Sequence, residues 1–82
     1  SWLDYGMFIQ NVMTAAREEG LSSCPQVAWA QYHMIIRREL GVPETQTVVC
    51  GMALGHEDTE EPANALRTER APLEDWVRFL GD

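Results

Sequence analysis

The side chains best suited to proton transfer or metal binding in this 82-residue chain are two histidines and two cysteines. Zinc sites place such ligands at short, repeated spacings, so that the thiolate and imidazole groups converge on one ion. Cys24, His33, Cys50 and His56 follow one another without a CxxC pair or any other metal-ligand spacing. We therefore interpret the histidines as surface or packing residues. The cysteines are interpreted as reduced thiols of a cytoplasmic protein, and nothing in their spacing calls for a disulfide.

Other motifs that carry chemistry are missing from the sequence. The four acidic residues between Glu57 and Glu61 lack the central glycine of a calcium-binding loop, so we interpret them as solvated. Gly51 and Gly55 do not fit a phosphate loop or a dinucleotide fingerprint, and no Ser-His-Asp order is present. We interpret Gly51 as a glycine required by the backbone geometry at the end of a strand. The sequence therefore predicts no metal site and indicates no catalytic acid, base or nucleophile.

The composition narrows the possible partners. The chain has a formal net charge of −7, because its six basic residues, all arginine, face thirteen acidic ones. Nucleic-acid binding requires clustered positive charge that neutralises phosphates, and this balance argues against it. No apolar run approaches the ~20 residues that a membrane-spanning helix needs. We therefore expect neither a nucleic acid nor a membrane as a partner.

The first predicted element is a long amphipathic helix from Leu3 to Glu19. Its apolar face is about half of the helix circumference wide and needs covering from more than one direction. Gly6 costs roughly 1 kcal/mol relative to alanine inside a helix, which suggests that another backbone approaches closely there. Gly20 follows in the position that favours a left-handed residue, and Leu21 suits the apolar contact after it. The apolar face consists of Tyr5, Phe8, Ile9, Val12, Met13 and Ala16.

A loop, a second helix and a strand are predicted next. The segment Ser22–Gln26 contains a proline and is predicted to be a loop. A second helix is predicted from Ala30 to Leu40, because Gly41 and the proline that follows it form a strong stop signal. The apolar run Thr47–Gly55 begins with β-branched residues, which predicts a strand buried on both faces. Because one strand cannot form a sheet, we expect its partners to lie outside this chain.

The remaining residues are predicted to form an acidic loop and a tail. His56 to Asn64 is interpreted as a solvated loop, and residues 66–70 as polar and extended. Pro72 is predicted at the first position of a short helical turn, whose acids favour the positive end of the helix dipole. The apolar tail Trp76–Leu80 needs a surface on which to dock. These unmet needs indicate a missing half of the domain or a tight dimer.

Four of these features stand in a fixed order along the chain. They are the helix end Ala15–Leu21, the loop Ser23–Gln26, the strand Val48–Gly55 and the tail Arg67–Val77. Their combination resembles the C-terminal half of the FMN-dependent nitroreductase family. The most specific part is the tail pattern Arg70-x-Pro72-Leu73-Glu74-Asp75. The similarity covers essentially the whole chain. It implies that residues 1–82 are the C-terminal portion of a single nitroreductase-like domain, with the N-terminal portion absent.

The resemblance implies an α+β fold, in which a mostly antiparallel sheet is flanked by helices and two subunits intertwine as a homodimer. This chain would supply the central dimer helix, a second helix, a sheet strand and an extended C-terminal tail that reaches the partner subunit. FMN would lie at the dimer interface and take hydride from NAD(P)H. It would then pass electrons to a nitroaromatic, a quinone or a similar acceptor, so the cofactor would carry the chemistry that no side chain here provides.

The resemblance also implies site residues. The backbone of Pro25, Gln26 and Val27 matches the family segment that runs beside the flavin ring, where peptide N–H groups favour the reduced ring. Arg70 matches the family's phosphate-binding arginine, because a guanidinium fork suits phosphate oxygens, and Arg67 is close enough in sequence to assist. The family's Arg-rich N-terminal segment, which grips the flavin phosphate and ribityl chain, has no match here. We therefore expect an incomplete FMN site and an inactive chain when it is alone.

Plainer interpretations stay open beside these. The segment Pro25–Val27 could be an ordinary loop between helices, and Arg70 could be a solvated side chain paired with Glu69 or Glu74. Two alternative functions bind no flavin. One is a non-catalytic remnant that keeps the dimerising helix, and the other is a small interaction module that docks through its apolar tail.

Overall fold

A computed structural model of the chain describes residues 1–81 and has the predicted α+β character. Helix α1 spans Trp2–Glu18, strand β1 spans Ser22–Gln26, helix α2 spans His33–Leu40 and strand β2 spans Gly51–Gly55. A 3₁₀ helix at Val27–Tyr32 connects β1 to α2. Two further 3₁₀ turns follow β2, at Pro62–Ala65 and Leu73–Asp75.

Helix α1 begins and ends as its sequence predicts. The Ser1 hydroxyl accepts a hydrogen bond from the Asp4 N–H at 3.4 Å and caps the first turn. At the other end Gly20 has a φ of 77°, a left-handed conformation that favours glycine. The Leu21 N–H donates to the Ala16 carbonyl at 2.9 Å, which is the bond that defines a Schellman motif. The left-handed conformation predicted for Gly20 is confirmed.

Helix α2 starts later than predicted, because the 3₁₀ helix occupies the residues before His33. Its predicted end is confirmed, since Gly41 is left-handed with a φ of 65°. The helical pattern predicts that Arg37 faces water together with Arg38 and Glu39, and for Arg37 this prediction was wrong. Its side chain is half-buried and its Nη2 donates to the Gln46 carbonyl at 2.8 Å, which ties the loop after α2 to the helix.

The segment predicted to be a loop is strand β1, and it pairs antiparallel with β2. The loop prediction was therefore wrong, and so was the prediction that β2 must pair outside the chain. Pro25 lies opposite Met52, between two other paired positions of the ladder. In an antiparallel ladder alternate pairs exchange no hydrogen bonds, so a residue without an N–H is accommodated at such a position.

Strand β2 is shorter and less buried than predicted. Only Gly51–Gly55 of the predicted run Thr47–Gly55 is strand. Gly51 and Met52 are half-buried, whereas the last three residues of the strand are exposed. The prediction of burial on both faces was wrong for the described chain, because no element within residues 1–81 covers the outer half of the strand.

Little of the apolar surface is buried within residues 1–81. Ala16 is the one buried residue of this part, whereas Phe8 is 62% exposed on α1 and Trp76 is 68% exposed in the tail. The radius of gyration is 17.3 Å, whereas a compact chain of this length would have about 12 Å. Gly6 has no atom of the described chain within 4 Å of an added Cβ. Exposed apolar surface of this extent is typical of an interaction site.

The region after β2 is exposed, as predicted. The Asn64 side chain donates to the Asp58 carbonyl at 2.8 Å, and the Glu60 N–H donates to the Asp58 carboxylate at 3.0 Å. Pro72 was predicted to be the first residue of the last helical turn. It is instead the N-cap that precedes the 3₁₀ turn. Across residues 1–81, no helix combines the length and the apolar character that crossing a membrane requires.

The Schellman motif after α1 yields a prediction for Gly20→Ala. We expect this substitution to lower the free energy of unfolding by about 1 kcal/mol, because a Cβ is strained in the left-handed conformation. The measurement is urea unfolding of the complete polypeptide encoded by the reading frame that contains this chain. Gly55→Ala is the control, since Gly55 is not left-handed and its added Cβ meets no atom within 4 Å. Equal stability of the two variants would contradict the role assigned to Gly20.

Candidate functional site

The three predicted backbone residues lie together at the corner where β1 runs into the 3₁₀ helix. Pro25 and Gln26 are the last two residues of β1, and Val27 is the first residue of the 3₁₀ helix. All three are exposed. We call residues 25–28 the β1 corner, because Ala28 completes the first turn after the strand.

The β1 corner has only two peptide N–H groups that are free to bind a ligand. Pro25 has no N–H. The N–H of Gln26 belongs to the ladder, because Gln26 lies opposite Gly51 at a pair that carries the hydrogen bonds skipped at Pro25. The N–H groups of Val27 and Ala28 fall in the first turn of the 3₁₀ helix, where no intrahelical acceptor exists. Of the peptide donors predicted for this segment, the N–H groups of Val27 and Ala28 are therefore the two that remain free.

A tryptophan that the sequence analysis did not single out fixes the shape of this corner. The Nε1 of Trp29 donates to the Gln26 side-chain oxygen at 2.9 Å. A Cβ added at Gly51 would lie 2.5 Å from Cδ1 of Trp29, so the indole rests on the backbone of β2. Strand-end geometry was the preferred interpretation of Gly51, which is the first residue of β2, and the structure adds a packing contact with Trp29. The three-residue spacing between Gln26 and Trp29 is the sequence feature that could have indicated this contact.

The two predicted arginines lie on the exposed segment before the last 3₁₀ turn. Nη1 of Arg70 donates to the Thr68 hydroxyl at 2.5 Å and to the Glu69 carbonyl at 3.2 Å. Nη1 of Arg67 donates to the Asn64 and Leu66 carbonyls, each at 3.1 Å. Both guanidinium groups thus contact neutral oxygens of nearby residues.

Neither arginine forms an ion pair in the described part of the chain. The ion pairs within residues 1–81 join Ser1 to Asp4 and Arg38 to Glu39. The side chain of Arg70 is exposed, as the plainer interpretation expects, but the pairing with Glu69 or Glu74 that it includes is absent. An exposed guanidinium that has no carboxylate partner keeps its full charge available for an anion.

Arg67 and the β1 corner do not line the same hollow. Arg67 lines a shallow hollow together with Glu57, Thr59, Asn64 and Ala65, and no residue of the β1 corner belongs to it. What residues 1–81 provide is therefore two partial surfaces. One carries peptide donors, and the other carries two arginines that form no ion pair among the described residues.

Comparison with known proteins identifies the class. Residues 1–56 match the model of the nitroreductase family. The chain is 43% identical over 81 residues to 4-nitrobenzoate reductase of Pseudomonas putida, which covers 99% of this chain and 36% of that protein. It is 41% identical over 80 residues to nitrobenzene nitroreductase of Ectopseudomonas oleovorans. That match covers 98% of this chain and 35% of the relative. The chain belongs to the nitroreductase family, and the resemblance inferred from its ordered motifs is confirmed.

Solved structures agree with this assignment. The FMN- and NADPH-dependent nitroreductase NfnB of Sphigopyxis sp. strain HMH superposes with a TM-score of 0.92 at 41% identity, covering 99% of this chain and 36% of that one. The FMN-dependent NfnB of Mycobacterium smegmatis, solved in complex with NADPH, superposes with a TM-score of 0.90 at 35% identity. That match covers 95% of this chain and 35% of the other. The chain thus spans about a third of the length of the relatives that it matches.

Proposed function

We propose that this chain is part of an FMN-dependent oxidoreductase that passes electrons from NAD(P)H to a nitroaromatic, a quinone or a similar acceptor. The observation that carries the proposal is the exposed pair of peptide donors at Val27 and Ala28. This pair occurs in a chain whose backbone superposes with a TM-score of 0.92 on an FMN- and NADPH-dependent nitroreductase.

The β1 corner fits the polar edge of a flavin ring. When bound, FMN would supply the two-electron chemistry for which no acid, base or nucleophile is evident in this chain. The residues of the corner contribute fixed peptide dipoles: the Val27 and Ala28 N–H groups donate to the edge of the ring on which negative charge grows during reduction. Because these donors are held by strand and helix geometry, they need no reorganisation when electrons arrive.

The arginine segment fits the phosphate of the same cofactor. Arg70 presents a guanidinium fork that can donate two parallel hydrogen bonds to phosphate oxygens, and Arg67 adds a second positive charge. The chain as a whole has a net charge of −7, so this local charge is needed if an anion is to be held here. The sequence predicts an incomplete FMN site, so residues outside this chain would complete the phosphate site.

We also propose that the functional unit is a homodimer. Trp2 and Phe8 on α1 are 72% and 62% exposed, and Leu80 in the tail is 83% exposed. Exposed apolar area of this extent favours association, because each square ångström removed from water contributes about 25 cal/mol. A second subunit that covers α1 and receives the tail would remove this area from water.

The first test is the colour and size of the complete polypeptide encoded by the reading frame that contains this chain. We expect a yellow protein with a flavin absorbance band, which sediments as a dimer and loses its band when NADPH is added under anaerobic conditions. A colourless protein that does not take up added FMN would contradict the proposed function and favour the non-catalytic alternatives. A monomer in sedimentation would contradict the proposed assembly.

Val27→Pro removes one donor with little change of backbone. Proline is tolerated at the first position of a helix, and Gln26 before it has φ −132° and ψ 94°, in the extended region that proline favours. We expect the FMN dissociation constant to rise by about tenfold in the complete polypeptide, since a hydrogen bond of this kind contributes about 1 kcal/mol or more. Val27→Ala is the control, because it keeps the N–H and shortens the side chain. If the two variants bound FMN equally well, the donor assignment would be wrong.

Arg70→Ala tests the phosphate assignment. Loss of a charge-assisted hydrogen bond is expected to raise the FMN dissociation constant by at least about tenfold, while the affinity for riboflavin, which has no phosphate, stays unchanged. Arg38→Ala removes the same charge from an exposed position on α2 and serves as the control. A loss of FMN affinity that equals the loss of riboflavin affinity would reject a contact between Arg70 and phosphate.

A further inference from the structure

We propose that Trp29 is a positioning residue: its indole, seated on Gly51 and hydrogen-bonded to Gln26, sets the direction of the Val27 and Ala28 N–H groups. The inference rests on the proposed function, because it concerns how this chain presents those donors to a flavin. It adds two residues, Trp29 and Gly51, that contact no cofactor in this proposal and act through the β1 corner.

The contact between Trp29 and Gly51 requires a residue without a side chain on β2. A Cβ added at Gly51 would lie 2.5 Å from Cδ1, 3.0 Å from Cγ and 3.1 Å from Nε1 of Trp29. Three atoms of the five-membered ring therefore occupy the space of any larger residue, and the ring itself is rigid. A side chain at position 51 would force the indole to move.

Gln26 and Trp29 meet because of the helix type that follows β1. In a 3₁₀ helix residues three apart are eclipsed, so the N-cap Gln26 and Trp29 lie on the same side of the helix. The Nε1 of Trp29 donates to Gln26 Oε1 at 2.9 Å, which joins the end of the strand to the first turn of the helix. Tyr32, three residues further on, packs edge-to-face on Trp29 with ring centroids 6.3 Å apart.

These contacts enclose the two donors between fixed points. On one side, Gln26 is held to Gly51 by the ladder. On the other side, Trp29 is held to Gly51 by packing. Val27 and Ala28 lie between these two attachments to the same residue of β2, so their peptide planes cannot rotate independently of the strand. Moving the indole releases one attachment and frees the corner to turn.

The indole of Trp29 lies outside the contacts that define the secondary structure. Sheet pairing and the capping of α2 do not involve the indole. We therefore expect the geometry of the corner to change more than the overall stability when the indole is displaced.

The experiment is a double-mutant cycle on the complete flavin-loaded polypeptide. Gly51→Ala displaces the indole, Trp29→Ala deletes it, and the double variant does both. We expect each single variant to weaken FMN binding by about tenfold. We also expect each to move the two-electron midpoint potential of the flavin about 30 mV more negative, the equivalent of a tenfold loss of preference for the reduced ring. Because both changes remove one contact, the double variant should be no worse than the worse single variant.

Two further variants make the result decisive. Gly55→Ala, at the other end of β2, adds a Cβ that meets no atom within 4 Å, and it should leave the flavin potential unchanged. Trp29→Phe keeps an aromatic ring at this position and removes the Nε1 donor together with part of the indole's bulk. We expect it to weaken FMN binding by about threefold and to shift the potential by about 14 mV, which is the same ratio expressed as a potential.

The outcomes separate this inference from the proposed function. A wild-type polypeptide that binds no FMN refutes the proposed function, and the positioning role falls with it. If the wild type is yellow, an unchanged potential and FMN affinity in Gly51→Ala and Trp29→Ala overturn the positioning role alone. Additive losses in the double variant also overturn it. If the alanine variants do not fold, Trp29→Phe decides, and an unchanged potential in that variant overturns the inference.

Discussion

The antiparallel pairing of β1 with β2 is the constraint on which the rest of this structure depends. It holds Gln26 opposite Gly51 and thereby determines where the strand ends and the 3₁₀ helix begins. The register also places Pro25 opposite Met52, where the ladder needs no N–H. If the register of β1 against β2 shifted by one residue, the ladder would need an N–H at Pro25, which proline lacks. The same shift would place a residue other than glycine beneath Trp29. One register therefore satisfies the strand and the corner together.

A second constraint is the apolar surface that residues 1–81 leave uncovered. The secondary structure has well-formed caps and turns, yet only Ala16 is buried among the described residues. Helices of this kind obtain most of their stability from packing an amphipathic face, and two-stranded sheets are marginal alone. The two partial surfaces, peptide donors at the β1 corner and charge at Arg67 and Arg70, follow the same rule. Each is presented by this chain as one part of the proposed cofactor site.

Sequence reasoning succeeded where a local signal was strong and failed where pairing decided the outcome. The ends of α1 and α2 were predicted because left-handed glycines and the residues after them act within one helical turn. Strand β1 was missed because Pro25 opposes strand formation in isolation, and only its partner strand shows that the missing donor is not needed. Arg37 was misjudged for a similar reason, since the carbonyl of Gln46 lies nine residues away in sequence.

The amino-acid sequence by itself determined the α+β class, the helix ends, the acidic character and the family, because each is carried by residue types at short spacing or by an order of motifs. It also indicated which residues belong to the candidate site. Tertiary structure alone decided which N–H groups at the β1 corner are free, and it alone revealed the contact between Trp29 and Gly51. The physical reason is that both depend on the register of one strand against another, a contact between residues about 25 apart that no local pattern records.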